Sequence, residues 1–286
     1  MLAIAHGKGY SVRIHQSVPA LPHVVLMHGF MGASTSFEAL LPYLIKRCNP
    51  ITIDLLGHGD SDRCTAPDRY GLELQARDIG SVLSRLQITP LYLYGYSMGG
   101  RIALETVLQN LQSATNTIFF SGLMLESTGA GIRSETERKA RLAEDRKRAD
   151  HICSSFTDFL HQWIAMPIFG LKEPQNTKKM QNAESRQALI RRFLQNDTAS
   201  LAASIVGASP GNNPSRWELL HQIDLPVLLL GGTLDIKYVD ILGKMKDLLP
   251  RSTLRILSGA AHRVHQQQPK QTAAAMISFI DSVERR

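Results

Sequence analysis

The chain has 286 residues, a formal net charge of +7, three cysteines and 43% apolar residues. That length and apolar share suit a single large α/β unit carrying an insertion, with enough material for a sizeable core. Cys48, Cys64 and Cys153 are odd in number and lack C-x-x-C pairing, which excludes a disulfide framework or a zinc site of the usual spacing. No stretch reaches the roughly 18 apolar residues of a membrane span. The first residues lack a basic segment followed by a long apolar run. A cytoplasmic protein with no stable membrane insertion is expected. Basic residues are dispersed except between Arg133 and Arg148, where acids are interleaved. Such a stretch reads as a solvated helix face or as a field that draws a small anionic substrate, and no nucleic-acid partner is expected. Nothing in the composition indicates an oligomeric state.

In chain order, short apolar runs bounded by turn signals predict strands at His23–Met27, Ile51–Asp54, Leu91–Tyr94, Gly122–Glu126, Val227–Leu230 and Leu254–Leu257. Helical periodicity falls between them at Ser36–Leu44, Leu72–Leu86, Met98–Gln112, Asp240–Leu248 and Lys270–Val283. This alternation predicts an α/β fold with a mainly parallel sheet. From about Arg133 to Arg216 the rhythm changes to helix alone, over Glu135–Phe156, Phe159–Trp163, Asn176–Phe193 and Ser200–Gly207. An all-helical insertion between two strands reads as a cap over the sheet edge where open α/β folds bind ligands, with Gly207–Ser215 as the returning hinge.

The chemistry centres on Gly95-Tyr-Ser-Met-Gly99, which follows an apolar strand-like run and opens a helix. A serine so placed sits in a strained turn, and glycines two residues either side clear the neighbouring backbone. A serine hydroxyl is a poor nucleophile and base at neutral pH, so Ser97 needs a histidine and an orienting carboxylate. The motif predicts the order serine, acid, histidine, which Asp235 and His262 satisfy, each just beyond a predicted strand. Asp235 is also a natural helix N-cap, in which case Asp224 or Asp240 would take its role. His265 is the competing base, although it lies nearer Pro269 and lacks small neighbours. His28 and His58 come too early in the chain and read as structural or pocket-lining. The backbone amides of Phe30, in a glycine-flanked loop, and Met98, at a helix start, are the expected oxyanion-hole donors.

With His28-Gly-Phe-Met-Gly32, Asp54-Leu-Leu-Gly-His-Gly-Asp-Ser61, the serine motif, Asp235 and His262 in place, the chain resembles the α/β-hydrolase superfamily over essentially its whole length. The resemblance implies a core formed by residues 1–132 and 217–286, with residues 133–216 as a helical cap. Further motifs are Gly95-Tyr-Ser-Met-Gly-Gly-Arg101, Leu125-Glu-Ser-Thr128, Glu137-Arg-x-x-Arg141, Phe159-Leu-His-Gln-Trp-x-x-x-Pro-Ile-Phe169 and Ala260-Ala-His-x-x-His265. They are similar to those of a lyase branch that serves menaquinone and phylloquinone biosynthesis. Its members eliminate pyruvate from a cyclohexene bearing an enolpyruvyl group, a succinyl side chain and a ring carboxylate.

That resemblance implies substrate-binding roles for Tyr96, Arg101, Arg141 and Trp163, and for a further cap arginine taken here as Arg192. Arg138 joins them because it shares a helix face with Arg141. A tricarboxylate substrate would need such planar cationic forks. For each arginine the plain alternative is a solvated helix surface, and for Trp163 an ordinary core anchor. The competing functions are a serine hydrolase acting on an ester or carbon–carbon bond and a non-catalytic ligand-binding relative. No metal cluster, phosphate loop or dinucleotide fingerprint is present in the sequence, so no cofactor is expected.

Overall fold

The computed structural model describes residues 1–113, 118–169 and 187–285. Eight strands form one sheet: β1 (Leu2–Ala5), β2 (Lys8–Ile14), β3 (His23–Met27), β4 (Asn49–Ile53), β5 (Leu91–Tyr96), β6 (Phe120–Glu126), β7 (Val227–Gly232) and β8 (Ser252–Leu257). Their order is β1-β2-β4-β3-β5-β6-β7-β8. The pairs β1–β2 and β2–β4 are antiparallel and the rest of the sheet is parallel. The β1–β2 hairpin is an addition to the sequence reading. It is closed by His6 and Gly7, both at positive φ (45° and 75°), a two-residue turn whose twist matches the strands it joins.

Alternation along each strand builds a core on both faces of the sheet. Val25 and Met27 of β3 join one buried cluster with Leu93, Leu125 and Leu229, while Val24 and Leu26 join the other with Tyr94, Met124 and Leu228. The strand order reverses around β3, which pairs β4 on one side and β5 on the other. The loops leaving the carboxyl ends of β3 and β5 therefore emerge beside each other, at the crevice where open α/β sheets place their ligands.

Between β6 and β7 lie helices Glu135–Ser154, Phe156–Ile164 and Thr198–Gly207, with residues 187–193 also helical. Ser134 and Asp197 cap the first and last of these helices through hydrogen bonds from the amides of Glu137 and Ser200. The expected helix Asn176–Phe193 falls among the described residues only from 187 onward. Ile152, Phe159, Leu160, Ile164, Phe193 and Leu201 form a buried cluster of their own, to which Met31 of the β3 loop contributes. The chain returns where it left: the Arg216 amide donates to the Ala130 carbonyl at 2.7 Å, and Trp217 Nε1 donates to Gly131 O at 2.9 Å. The Gly207–Ser215 stretch is firmly held, because buried Asn213 accepts from the Leu72 amide and donates to the carbonyls of Gly207 and Ser209. No described helix is long and apolar enough to cross a membrane.

Candidate active site

β5 ends at Tyr96 and a helix begins at Met98, leaving Ser97 alone in the turn with φ 52° and ψ −109°. A non-glycine residue tolerates this conformation only where its surroundings impose it. They do so here. A Cβ on Gly95 would stand 2.4 Å from Gly99 O, and one on Gly99 would stand 2.5 Å from the carbonyl oxygens of both Met27 and His28. The turn is pinned further by Ser97 N donating to Glu126 O and by Thr128 Oγ1 donating to Ser97 O.

Across the carboxyl edge of the sheet, the loop after β7 delivers Asp235 and the loop after β8 delivers His262, both nearly fully buried. His262 Nε2 lies 3.0 Å from Ser97 Oγ, and His262 Nδ1 lies 2.7 Å from Asp235 Oδ2. A carboxylate only accepts, so Nδ1–H donates to Asp235 and Nε2 is left to accept the serine proton. Asp235 does occupy the N-cap position of helix Ile236–Leu248, yet its carboxylate makes no capping hydrogen bond and turns to His262. That helix starts four residues before the predicted Asp240, directly at the acid.

His265 lies elsewhere. Its Nδ1 and amide meet Glu126 Oε1, whose other oxygen accepts from Tyr94, in a fully buried cluster under Tyr96. His28 is likewise structural: Nδ1 meets Gly29 O, Nε2 accepts from the Leu55 amide, and burial pushes its pKa down. Burial pushes the Asp54 carboxyl up, but the neighbouring His28 ring and hydrogen bonds from Ser34 and Asp60 prevail and hold it below the usual range. His28 and Asp54 thus fix the loop that carries Phe30. A Cβ on Gly29 would fall 2.7 Å from the Tyr96 ring, which is why the loop can come so close to the serine. Met98, as the first helical residue, has an amide with no carbonyl partner inside its own helix.

Ser97 and His262 open onto a cavity of about 400 Å³ roofed by the helical layer. Phe30, Met98, Arg101, Arg141 and Trp163 line it as the sequence suggests. Arg101 donates to Ala208 O. Burial, reinforced by Arg141 and opposed by Tyr238, brings its pKa down to about 10, so it stays charged at neutral pH. Trp163 serves as both anchor and wall, with its ring 5.5 Å from those of Phe30 and Phe159.

Other expectations change. Arg138 is not brought to the cavity, because it sits one turn too near the helix start, where its carbonyl meets the returning Gly211. Its place is taken by Arg148, two turns beyond Arg141 on the same face. Buried Asp145 lies between these two, accepting from Arg141 Nε at 2.8 Å and from Arg148 Nη1 at 2.7 Å. Arg192 stands outside the cavity, half-buried and donating to Glu38 at 3.4 Å. Tyr96 lies behind the serine rather than in the large cavity. Lys237 and Tyr238, both missed in the sequence, complete the wall; the Tyr238 ring is 4.7 Å from that of His262. The signal for them was available in the second and third positions after the acid, on the first turn of its helix. Among the described lining residues, Arg101, Arg141, Arg148 and Lys237 place four cations against the single carboxylate of Asp145.

The alpha/beta hydrolase family model matches residues 24–275. The chain belongs to that family. Within the family it is 32% identical, over 99% of its length and 98% of the relative's, to a Bacillus subtilis (strain 168) chain provisionally named 2-succinyl-6-hydroxy-2,4-cyclohexadiene-1-carboxylate synthase. It is 27% identical to the synthase of that name from Salmonella agona (strain SL483), covering 88% of this chain and 90% of the relative. Among solved structures, MenH from S. aureus superposes with a TM-score of 0.83 at 26% identity, covering 96% of this chain and 98% of that one.

Proposed function

We propose that the protein is a lyase of menaquinone biosynthesis. It eliminates pyruvate from 2-succinyl-5-enolpyruvyl-6-hydroxy-3-cyclohexene-1-carboxylate to give 2-succinyl-6-hydroxy-2,4-cyclohexadiene-1-carboxylate. Its kinship with the synthases of that name supports the reading. The observation that carries it is the pairing of a serine–histidine–aspartate relay with a cavity holding four cations and one carboxylate. A neutral ester would leave the excess positive charge of the cavity unbalanced, whereas a substrate bearing several carboxylates balances it.

The proton on the ring carbon that carries the succinyl group is acidified by the adjacent ketone. Ser97, polarised by His262, removes it and passes it to the imidazole, which Asp235 steadies as it becomes positive. Electrons shift through the ring double bond and expel the enolpyruvyl oxygen, and the developing enolate faces the amides of Phe30 and Met98. The described helices between β6 and β7 act as a lid that supplies Arg141 and Arg148 and keeps water from the reacting carbon. Arg138 and Arg192 have no part in this arrangement. The substrate is a small anion.

Elimination consumes no water, which separates it from hydrolysis by the same residues. Turnover of the enolpyruvyl cyclohexene in ¹⁸O-labelled water is expected to release pyruvate with no label fixed in the ring product, while an uncharged aryl ester is turned over poorly. Rapid ester turnover with a burst, and no pyruvate, would favour the hydrolase instead.

A further inference from the structure

Behind the serine lies a second, smaller cavity of about 50 Å³, walled by Tyr96, Phe169, Phe193, Arg263 and Gln266. It shares Phe30, Ser97, Trp163, Phe169 and His262 with the large cavity, so the two adjoin at the same reacting groups. By the same measure a water molecule needs about 10–15 Å³, so the smaller space has room for a small group of several heavy atoms.

Arg263 is only 9% exposed, and among the described residues no carboxylate pairs with it. Its guanidinium carbon stands 4.9 Å over the Phe169 ring. Burial pushes its pKa down; Tyr96 opposes that shift, and Arg192, a second cation whose own partner is Glu38, adds to it. A guanidinium that is buried, stays charged and faces an open space without a counter-charge is costly unless an anion arrives there. In the large cavity Arg141 and Arg148 share Asp145 and Arg101 meets Ala208 O, so a further unpaired cation beside the serine has a use in holding one of three carboxylates.

Taking the lyase reading as its basis, we propose that Arg263 binds the carboxylate of the enolpyruvyl arm, and that the small cavity is the pocket for the departing three-carbon fragment. In the elimination the ring carbon–oxygen bond breaks and its electron pair leaves with the enolpyruvate oxygen. The proton taken from the ring is returned to the methylene carbon, completing pyruvate. Arg263 holds that fragment in line with the breaking bond throughout and remains its partner until release.

The test is product inhibition by pyruvate, measured beside the KM of the full substrate, in wild type and in Arg263→Met. Methionine keeps the contact with Phe169 but removes the planar fork. The inhibition constant for pyruvate and the KM are each expected to rise at least tenfold. An unchanged inhibition constant in a wild-type-active background overturns the pocket assignment and leaves the lyase reading intact. Failure of the wild type to release pyruvate at all removes the lyase reading and this pocket with it. Should Arg263→Met not fold, Arg263→Lys decides: a severalfold rise supports the assignment, and a change below twofold contradicts it.

Discussion

At the scale of single residues, the proposed relay depends on which nitrogen of His262 carries the proton, and the 2.7 Å contact with the acceptor carboxylate of Asp235 favours Nδ1. Asp235→Asn keeps the shape but can offer its amide N–H to Nδ1, which strands the proton on Nε2 where the serine must donate. Pyruvate release is expected to fall about 10³–10⁴-fold with the melting temperature nearly unchanged, as measured by steady-state kinetics and thermal unfolding. That Ser97, Asp235 and His262 meet was legible because motif and chain order constrain them tightly. The arginines were less so. Spacing shows that residues 138, 141, 145 and 148 share a face, but not where along that face the cavity begins, and the edge is set by Gly211 packing against the Arg138 turn. Arg263 lay in plain view beside His262, yet a guanidinium next to a motif residue gives no hint in sequence that its carboxylate partner is missing.

At the scale of elements, the strand–turn–helix of β5, Ser97 and Met98–Gln112 depends on backbone approaching backbone. Gly99→Ala would push a methyl to 2.5 Å from two carbonyl oxygens of the β3 end, which have no rotamer to yield. Unfolding free energy is expected to drop by roughly 2–4 kcal/mol, lowering the melting temperature by about 5–10 °C in calorimetry. The parallel strands and their helices were readable because apolar runs alternate with helical periodicity. The β1–β2 hairpin was not legible because β1 is short and half exposed, because β2 mixes Lys8, Gly9, Ser11 and Arg13 among its apolar residues, and because His6 at positive φ is a weak turn signal beside Gly7. The helical layer was readable as helix, but its placement over the serine follows from tertiary contacts such as Met31 in the Phe159–Leu201 cluster, which no local pattern encodes.

At the scale of the whole molecule, buried neutral histidines couple the fold to pH. Burial, with His28 adding to it, brings His58 from 6.5 down to about 3. Below pH 6.5 the unfolded chain binds a proton that the folded chain refuses until about pH 3. Stability is therefore complete above 6.5 and erodes as pH falls through that window. The melting temperature is expected to decline from pH 7 to 4, and His58→Asn, which can still donate to Leu56 O, to flatten the slope; an unaltered slope would remove His58 from this role. The same architecture joins sheet edge and helical roof into one site, and its central claim is that Ser97 moves a proton rather than merely lining a binding pocket. The most direct measurement is pyruvate release by Ser97→Ala, with substrate affinity determined by calorimetry on the same preparation. A loss of at least ~10³-fold in kcat with Kd held within a few-fold is the expected result, and a variant that still turns over at the wild-type rate would contradict the account.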